Sequence, residues 1–306
     1  MKRILFVAAL LSLLGILPAE DTMQFTDWSA PANLGPIVNS GYNDRNPAIS
    51  KSGLSLYFDS NRPNPDAQGG FDIYVSQRDS SEDPWEAPVN LGPTINSPYL
   101  DGCMSLSRDG HWLVFTSDRP DGCGGSDLWI SHRHNKRDDF GWEVPINLGC
   151  IVNSENDENG PFLIEDERTG QLLLYYASNR MGGGVSYDIY ISSLSEETGT
   201  FGLPEPVAEL NSEKPEMHPN LRKDGLEIFF VRGQPGSGMD LWVATRETTL
   251  DPWSTTVNLT SLNSPVYEYH PSLSWDGTML FFASQRSGLG LFDLFMSSRT
   301  KLHPHN

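Results

Sequence analysis

Two histidines stand directly before a proline in corresponding segments of the sequence, "EMHPNL" and "EYHPSL". They are His218 and His270, and Glu216 and Glu268 lie two positions before them. Imidazole nitrogens and carboxylate oxygens are common ligands of divalent transition metals. His218, His270 and Glu216 are therefore the candidate ligands of a divalent metal ion. The alternative is that each His-Pro pair only packs where it stands.

The segment that contains these residues occurs five times, and each copy has an acid three residues before the proline position. These acids are Asp44, Asp101, Glu158, Glu216 and Glu268. An arginine ends the next apolar run in four copies, as Arg62, Arg119, Arg180 and Arg286. A structural acid–arginine pair explains these four copies. Gln234 replaces the arginine in the remaining copy, so Glu216 is expected to lack a partner.

The residue before the proline position is expected to begin the innermost strand of its repeat and to face a central opening. The five copies read Asn46, Cys103, Gly160, His218 and His270. The predicted ligand-binding residues are Asn46, Glu216, His218, Gln234, Glu268, Tyr269 and His270. No catalytic residue is assigned, because the sequence carries no nucleophile elbow, phosphate-binding loop or metalloprotease helix.

These segments belong to a long repeat. The phrase "PWEAPVNLGPTINS" is echoed by "DWSAPANLGPIVNS" and "GWEVPINLGCIVNS". Between the echoes, short runs alternate apolar and polar residues and end at Asp-Gly or other turn signals, which is typical of strands. Each unit has four such runs, which we name A, B, C and D in the order "PAIS", "SLYF", "DIYV" and "WEAPVNL". Repeats of about 40–60 residues with four strands each favour a β-propeller.

The ends of the chain predict how the ring closes. The repeats begin with a D run at Trp28 and end with an A-B-C set that finishes at Arg299. We expect residues 28–34 to complete the last blade, which leaves no open edge between blades. The prediction is an all-β, five-bladed β-propeller of four-stranded antiparallel blades spanning residues 28–300, with a β-solenoid as the alternative. The D-to-A and B-to-C connections share one face, which we call the top face.

The phrase "HPSLSWDGTMLFFASQR" followed by "FDLFMSS" resembles the WD40-like propeller repeats of TolB-type periplasmic proteins. The resemblance extends over residues 27 to 300. It implies a propeller in the bacterial envelope, and it assigns no catalytic residue here.

The first residues predict export. "MKR" is followed by the apolar run "ILFVAALLSLLGIL" and by "PAE", which is the pattern of a signal peptide. We assign residues 1–19 to it, 20–27 to a linker and 301–306 to a tail; an N-terminal membrane anchor is the alternative. No later segment is apolar enough to span a membrane. The net charge of −19 disfavours nucleic acid and anionic lipid as partners. We expect a periplasmic or secreted monomer.

Export also bears on the three cysteines, Cys103, Cys123 and Cys150. Since an oxidising compartment favours disulfides, one bond and one remaining thiol are expected. We predict a bond that uses Cys123, with Cys103 favoured over Cys150 as its partner.

Three functions fit these observations. The main prediction is a non-enzymatic binding module without a cofactor, whose partner is a protein or a glycan of the cell envelope. The first alternative is a metal-assisted polysaccharide lyase or glycoside hydrolase that uses a divalent metal ion at the top-face opening. The second alternative is a structural partner of a Tol-like envelope complex.

Overall fold

The computed structural model describes residues 24–181, 186–195, 197–234 and 238–302. The predicted signal peptide, the first half of the linker and all but the first two residues of the predicted tail lie outside these ranges. None of the described residues forms a helix of the length and apolarity needed to cross a membrane.

The strands form five four-stranded antiparallel sheets. Blade one contains β3 (Asp44–Ile49), β4 (Ser55–Ser60), β5 (Asp72–Gln77) and β6 (Val89–Asn90). Blade two contains β7 (Asp101–Leu106), β8 (Trp112–Ser117), β9 (Asp127–His132) and β10 (Ile146–Asn147). Blade three contains β11 (Glu158–Glu165), β12 (Leu172–Ser178), β13 (Asp188–Ser193) and β14 (Glu205–Pro206). Blade four contains β15 (Glu216–Leu221), β16 (Glu227–Gln234), β17 (Gly238–Thr245) and β18 (Val257–Asn258).

Blade five joins the two ends of the chain. It contains β19 (Glu268–Leu273), β20 (Met279–Ser284), β21 (Asp293–Ser298) and the N-terminal strand β2 (Ala32–Asn33). Ala32 pairs with Met296 and Asn33 pairs with Phe295. Beside this blade, β1 (Gln24–Phe25) pairs with β22 (Lys301–Leu302). The predicted five-bladed propeller and its closure are therefore confirmed.

The D strands are much shorter than the runs that predicted them. Each has two residues, such as Val89–Asn90 in the run "WEAPVNL". Pro88, directly before this strand, has no backbone N–H to donate, and a proline stands at the same place in three other repeats. The outer edge of each blade is therefore held by few ladder bonds.

Apolar packing lies between neighbouring blades. The described residues form five buried apolar clusters; four draw their members from two adjacent blades, and the fifth joins blades four and five and includes Ala177 of blade three. Between blades one and two, for example, Tyr57 meets Trp142 edge-on, with ring centroids 6.4 Å apart. Because each blade buries its faces only against its neighbours, the same apolar residues must recur around the ring.

The recurring Asn-Leu-Gly phrase also has a structural role. The Nδ2 atoms of the D-strand asparagines donate to the aspartates that begin the C strands, each at 2.8 Å: Asn33 to Asp293, Asn90 to Asp72, Asn147 to Asp127 and Asn258 to Asp240. These bonds tie the D strand to the loop before the C strand. Chemistry specific to this protein must therefore be sought where the copies differ.

Candidate functional site

Every A strand contains a β-bulge at the residue before the proline position. The ladder between strands A and B shifts register there, as between Arg45 and Ala48 or between Tyr269 and Ser272. We call the residues at this position the bulge residues; they are Asn46, Cys103, Gly160, His218 and His270, with φ from 48° to 57°. Four of them are not glycine, and a left-handed conformation strains such residues. A bulge turns a side chain away from the regular alternation.

The bulge residues form a connected, buried group around the axis of the propeller, as predicted. Asn46 Nδ2 donates to Cys103 Sγ at 3.1 Å, and the rings of His218 and His270 lie 4.7 Å apart. A Cβ added to Gly160 would lie only 2.5 Å from Cδ2 of His218, so this position requires glycine. Residues from all five blades thus meet at one place.

Both histidines are held as neutral bases. Burial is the main cause that lowers the pKa of His218 well below its usual value, and it lowers the pKa of His270 to about 3. Nε2 of His218 lies 3.0 Å from Asn159 Oδ1, whereas Nδ1 of each histidine is buried without a hydrogen-bond partner. Each ring therefore presents a lone pair that no protein group uses.

A buried carboxylate lies beside this group. Asp59 accepts hydrogen bonds from Nε and Nη2 of Arg45, at 3.0 Å and 2.9 Å, and from Asn46 Nδ2 at 2.5 Å. Despite these bonds, burial raises the pKa of the Asp59 carboxyl. The other four blades have Thr116, Ala177, Val231 and Ala283 at this place in strand B.

Aromatic side chains surround Arg45 and the bulge residues on the top face. The guanidinium of Arg45 lies over the ring of Phe71 at 3.5 Å, and Tyr269 packs against both His218 and Phe292. Tyr187 Oη donates to Oδ2 of Asp157 at 3.4 Å, and burial raises the pKa of this tyrosine. Asp157 is a second carboxylate that departs from the repeat, since Asn43 and Leu100 hold its place in blades one and two.

The acids that recur in every repeat of the chain have a structural role. In four blades the expected pairs form: Arg62–Asp44 at 2.5 Å, Arg119–Asp101 at 2.5 Å, Arg180–Glu158 at 3.1 Å and Arg286–Glu268 at 2.8 Å. Each acid is fully buried, and each arginine also donates to a backbone carbonyl of the D-to-A crossover. Glu268, predicted to bind a ligand, is therefore occupied in holding its own crossover.

The prediction that Glu216 lacks a partner is wrong. Arg232 Nε donates to Glu216 Oε1 at 2.6 Å, and Ser212 Oγ donates to the same oxygen at 2.5 Å. Burial raises the pKa of the Glu216 carboxyl. Arg232 stands two residues before Gln234, and alternate residues of a strand share a face, so it reaches the same acid. Glu216 is thus not available to the histidines as a ligand, and the side chain of Gln234 lies outside the described part of the chain.

The disulfide prediction is also wrong in its favoured partner. Cys123 is bonded to Cys150, with Cα atoms 5.5 Å apart, and Cys103 is a buried free thiol. Cys103 could not reach Cys123 because its bulge turns it towards the axis. Its Sγ instead lies close to His218 and His270.

Sequence reasoning placed Asn46, His218, Tyr269 and His270 together at the top of the channel, and the structure brings them together. It missed Arg45, Asp59, Asp157 and Tyr187. A signal for Asp59 was present, because its position in the aligned B runs holds no other acid.

No protein-family model and no curated protein matches the sequence. Solved structures do match in shape. A thermostable family-43 glycoside hydrolase has a TM-score of 0.56 and 12% identity, over 90% of this chain and 94% of that one. The catalytic domain of the GH62 alpha-L-arabinofuranosidase of Coprinopsis cinerea has a TM-score of 0.56 and 13% identity, over 90% of this chain and 97% of that one. The alpha-L-arabinanase of Penicillium chrysogenum has a TM-score of 0.54 and 12% identity, over 90% of this chain and 99% of that one.

These likenesses support a propeller but not the TolB type in particular. TolB of Acinetobacter baumannii matches with a TM-score of 0.46 and 15% identity, over 85% of this chain and 55% of that one. The predicted non-enzymatic binding module is contradicted, because the structures that match better in shape are glycoside hydrolases. At 12–13% identity these likenesses show the propeller fold that the chain shares with them.

Proposed function

We propose that this five-bladed propeller is a carbohydrate hydrolase whose substrate binds at the top-face opening of the channel. The shape it shares with three glycoside hydrolases over nearly their whole length supports the class of activity. The observation that carries the proposal for this chain is Asp59, a buried carboxylate with a raised pKa at a position where no other blade has an acid.

Glycoside hydrolysis commonly uses two carboxyl groups, one protonated to release the leaving group and one ionised. Burial raises the pKa of Asp59, which suits the proton donor. Asp157 supplies the second carboxylate; it is half-buried and its hydrogen bonds come from neutral groups, Ser126 N, Asn179 Nδ2 and Tyr187 Oη.

The surroundings of these acids suit a sugar. Phe71, Tyr187, Tyr269 and Phe292 are partly exposed beside the opening and offer ring faces for stacking. Arg45, whose side chain is 24% exposed, is the part of the Arg45–Asp59 pair that meets solvent. In the proposed complex its guanidinium contacts substrate hydroxyls and positions the sugar over Asp59.

A cavity lies at the opposite end of the channel, but its lining fits this chemistry less well. It has a volume of about 60 Å³, and its lining includes Lys51, Arg108, Lys223 and Trp275. Glu165 is the one acid in that lining. Because hydrolysis by acid–base catalysis needs a pair of carboxyl groups, we place the active site at the top face.

The proposed enzyme works outside the cytoplasm. The Cys123–Cys150 disulfide supports export, since such bonds persist in oxidising compartments, and the N-terminal apolar run supports a signal peptide. Fractionation of the native host would test this location: the mature chain should be found in the periplasm or the medium. A glycan of the envelope or its surroundings is then the expected substrate class.

Hydrolysis is tested with a panel of soluble plant and bacterial glycans and of aryl glycosides that includes arabinan and arabinoxylan. Wild type should release reducing ends, and Asp59→Asn and Asp157→Asn should each lower kcat/KM by about 10² or more. Glu205→Gln, an exposed acid on the outer strand of blade three, is the matched control and should leave the rate unchanged. Equal rates in all four proteins, or cleavage that yields unsaturated sugars as a lyase does, would overturn the proposal.

A further inference from the structure

We infer that the bulge residues form a binding site for a thiophilic transition-metal cation, Zn²⁺ by its ligand chemistry, held by Cys103 Sγ and by Nδ1 of His218 and His270. This inference goes beyond the proposed hydrolysis and does not depend on it. It changes the ligand set expected from the sequence, because Cys103 takes the place of Glu216.

The three donors converge from three blades. The ligand atoms of Cys103, His218 and His270 lie within 4.8 Å of one another, and all three residues are at most 6% exposed. Zinc binds sulfur at about 2.3 Å and imidazole nitrogen at about 2.0–2.1 Å. Two donors bound to one ion are therefore somewhat less than 4.8 Å apart. Small side-chain rotations would therefore bring the three atoms onto a single ion.

The histidine rings are oriented as metal ligands are. A ligating histidine usually donates its second N–H to a protein oxygen, which fixes the ring and leaves a lone pair for the metal. His218 makes this contact through Nε2 to Asn159 Oδ1, at 3.0 Å. In His270, too, Nδ1 is the buried nitrogen without a partner, and its ring lies 4.7 Å from that of His218 between centroids. Both Nδ1 atoms are buried, unpartnered and free to coordinate.

The thiol of Cys103 accepts a hydrogen bond that suits a thiolate. Asn46 Nδ2 donates to Sγ at 3.1 Å. Without a metal, burial raises the pKa of this thiol, so metal binding must release its proton.

A second group could bind metal adventitiously. His132, His134 and Glu143 also place their ligand atoms within 4.8 Å of one another, but they lie on the surface, where His134 is 86% exposed. Exposed imidazoles take up metal weakly and without a preformed cavity. This cluster is therefore the natural control for the buried site.

The test measures metal directly and needs no activity. Tag-free protein is stripped with a chelator and titrated with Co²⁺, which reports its ligands by absorption. Wild type should bind one tight equivalent with an intense thiolate-to-cobalt charge-transfer band, and Zn²⁺ should displace it. Cys103→Ser should lose the band, and His270→Gln should weaken binding at least tenfold. The His132→Ala/His134→Ala variant should retain both the charge-transfer band and the tight binding of one equivalent.

The result with wild type decides the matter even if a variant fails to fold. A wild-type cobalt complex without a thiolate band would overturn the inference. So would tight binding that disappears in His132→Ala/His134→Ala, because the ion would then occupy only the surface cluster.

Discussion

Arg232 Nε donates to Glu216 Oε1 at 2.6 Å from a position where every other blade has a serine. Three of those serines, Ser60, Ser178 and Ser284, donate to the acid of their own blade, and the arginine comes from two residues farther along. Blade four has merged the two roles in one side chain. The ion pair is thus preserved although the sequence pattern is broken.

This relationship predicts how blade four responds to substitution. Arg232→Ser should destabilise the protein by about 3–5 kcal/mol, because it leaves the fully buried Glu216 without a counter-charge. Adding Gln234→Arg restores the arrangement of the other blades and should recover most of the loss. Urea denaturation of wild type and both variants measures this. A double variant no more stable than Arg232→Ser would contradict the equivalence of the two positions.

A buried aspartate between blades one and two predicts a pH dependence of stability. Asp139 accepts hydrogen bonds from Ser55, Tyr57 and Arg133, each at 2.6 Å, and these bonds lower the pKa of its carboxyl although burial opposes them. A carboxyl with a depressed folded-state pKa stabilises the fold above the unfolded pKa of about 3.9, and this contribution is lost as pH falls.

We therefore expect Asp139→Asn to lower the free energy of unfolding by about 3–5 kcal/mol at pH 7. The difference from wild type should shrink as the pH falls below about 4, where the unfolded wild type takes up a proton. Asp66→Asn, at an exposed turn, serves as the control with little effect. A difference that stays constant down to pH 2 would show that the charge of Asp139 is not what stabilises the interface.

The disulfide predicts a thiol count and a stability loss. Denatured, unreduced protein treated with a chelator should show one reactive thiol, which peptide mapping should place at Cys103. Cys123→Ser/Cys150→Ser should lower the free energy of unfolding by about 2–4 kcal/mol, because the bond closes a 27-residue separation. Labelling of Cys150 in place of Cys103 would restore the pairing first expected from the sequence.

Ring closure predicts the effect of losing the N-terminal strands. Deleting residues 24–35 removes β1 and β2 and exposes the edge of β21 in blade five. The product should aggregate or melt without cooperativity, because an unpaired strand edge attracts other chains. Calorimetry and light scattering measure this. A cooperative melt at the wild-type temperature would mean that blade five does not need its fourth strand.

The repeat made most of the fold predictable. The alternating apolar runs predicted the strands, the five copies of the repeat predicted the number of blades, and the incomplete units at the two ends predicted the closing strand β2. The length of the D strands was not predictable in the same way, because residues such as Val89 and Leu91 have strand-like composition while Pro88 limits pairing.

The site was predictable in place but not in detail. The residue before the proline position was expected to begin the innermost strand and to face the central opening, so His218 and His270 were expected at the axis. The partner of Glu216 was misjudged because alignment by position hides Arg232, which reaches the same face of the strand. The role of Cys103 depends on a positive φ of 49°, which turns it inward and cannot be read from residue type.

The join in blade five sets an order of events during synthesis. Asn33 and Asp293 lie 260 residues apart in sequence, so strand β2 has no partner strand until the last blade has been synthesised. At a synthesis rate of about 5–20 residues per second, it waits for more than about ten seconds. A two-residue strand with prolines on both sides, Pro31 and Pro36, is a poor template for pairing with another chain during that delay. The shortness of this strand therefore protects the newly made protein while its ring is still open.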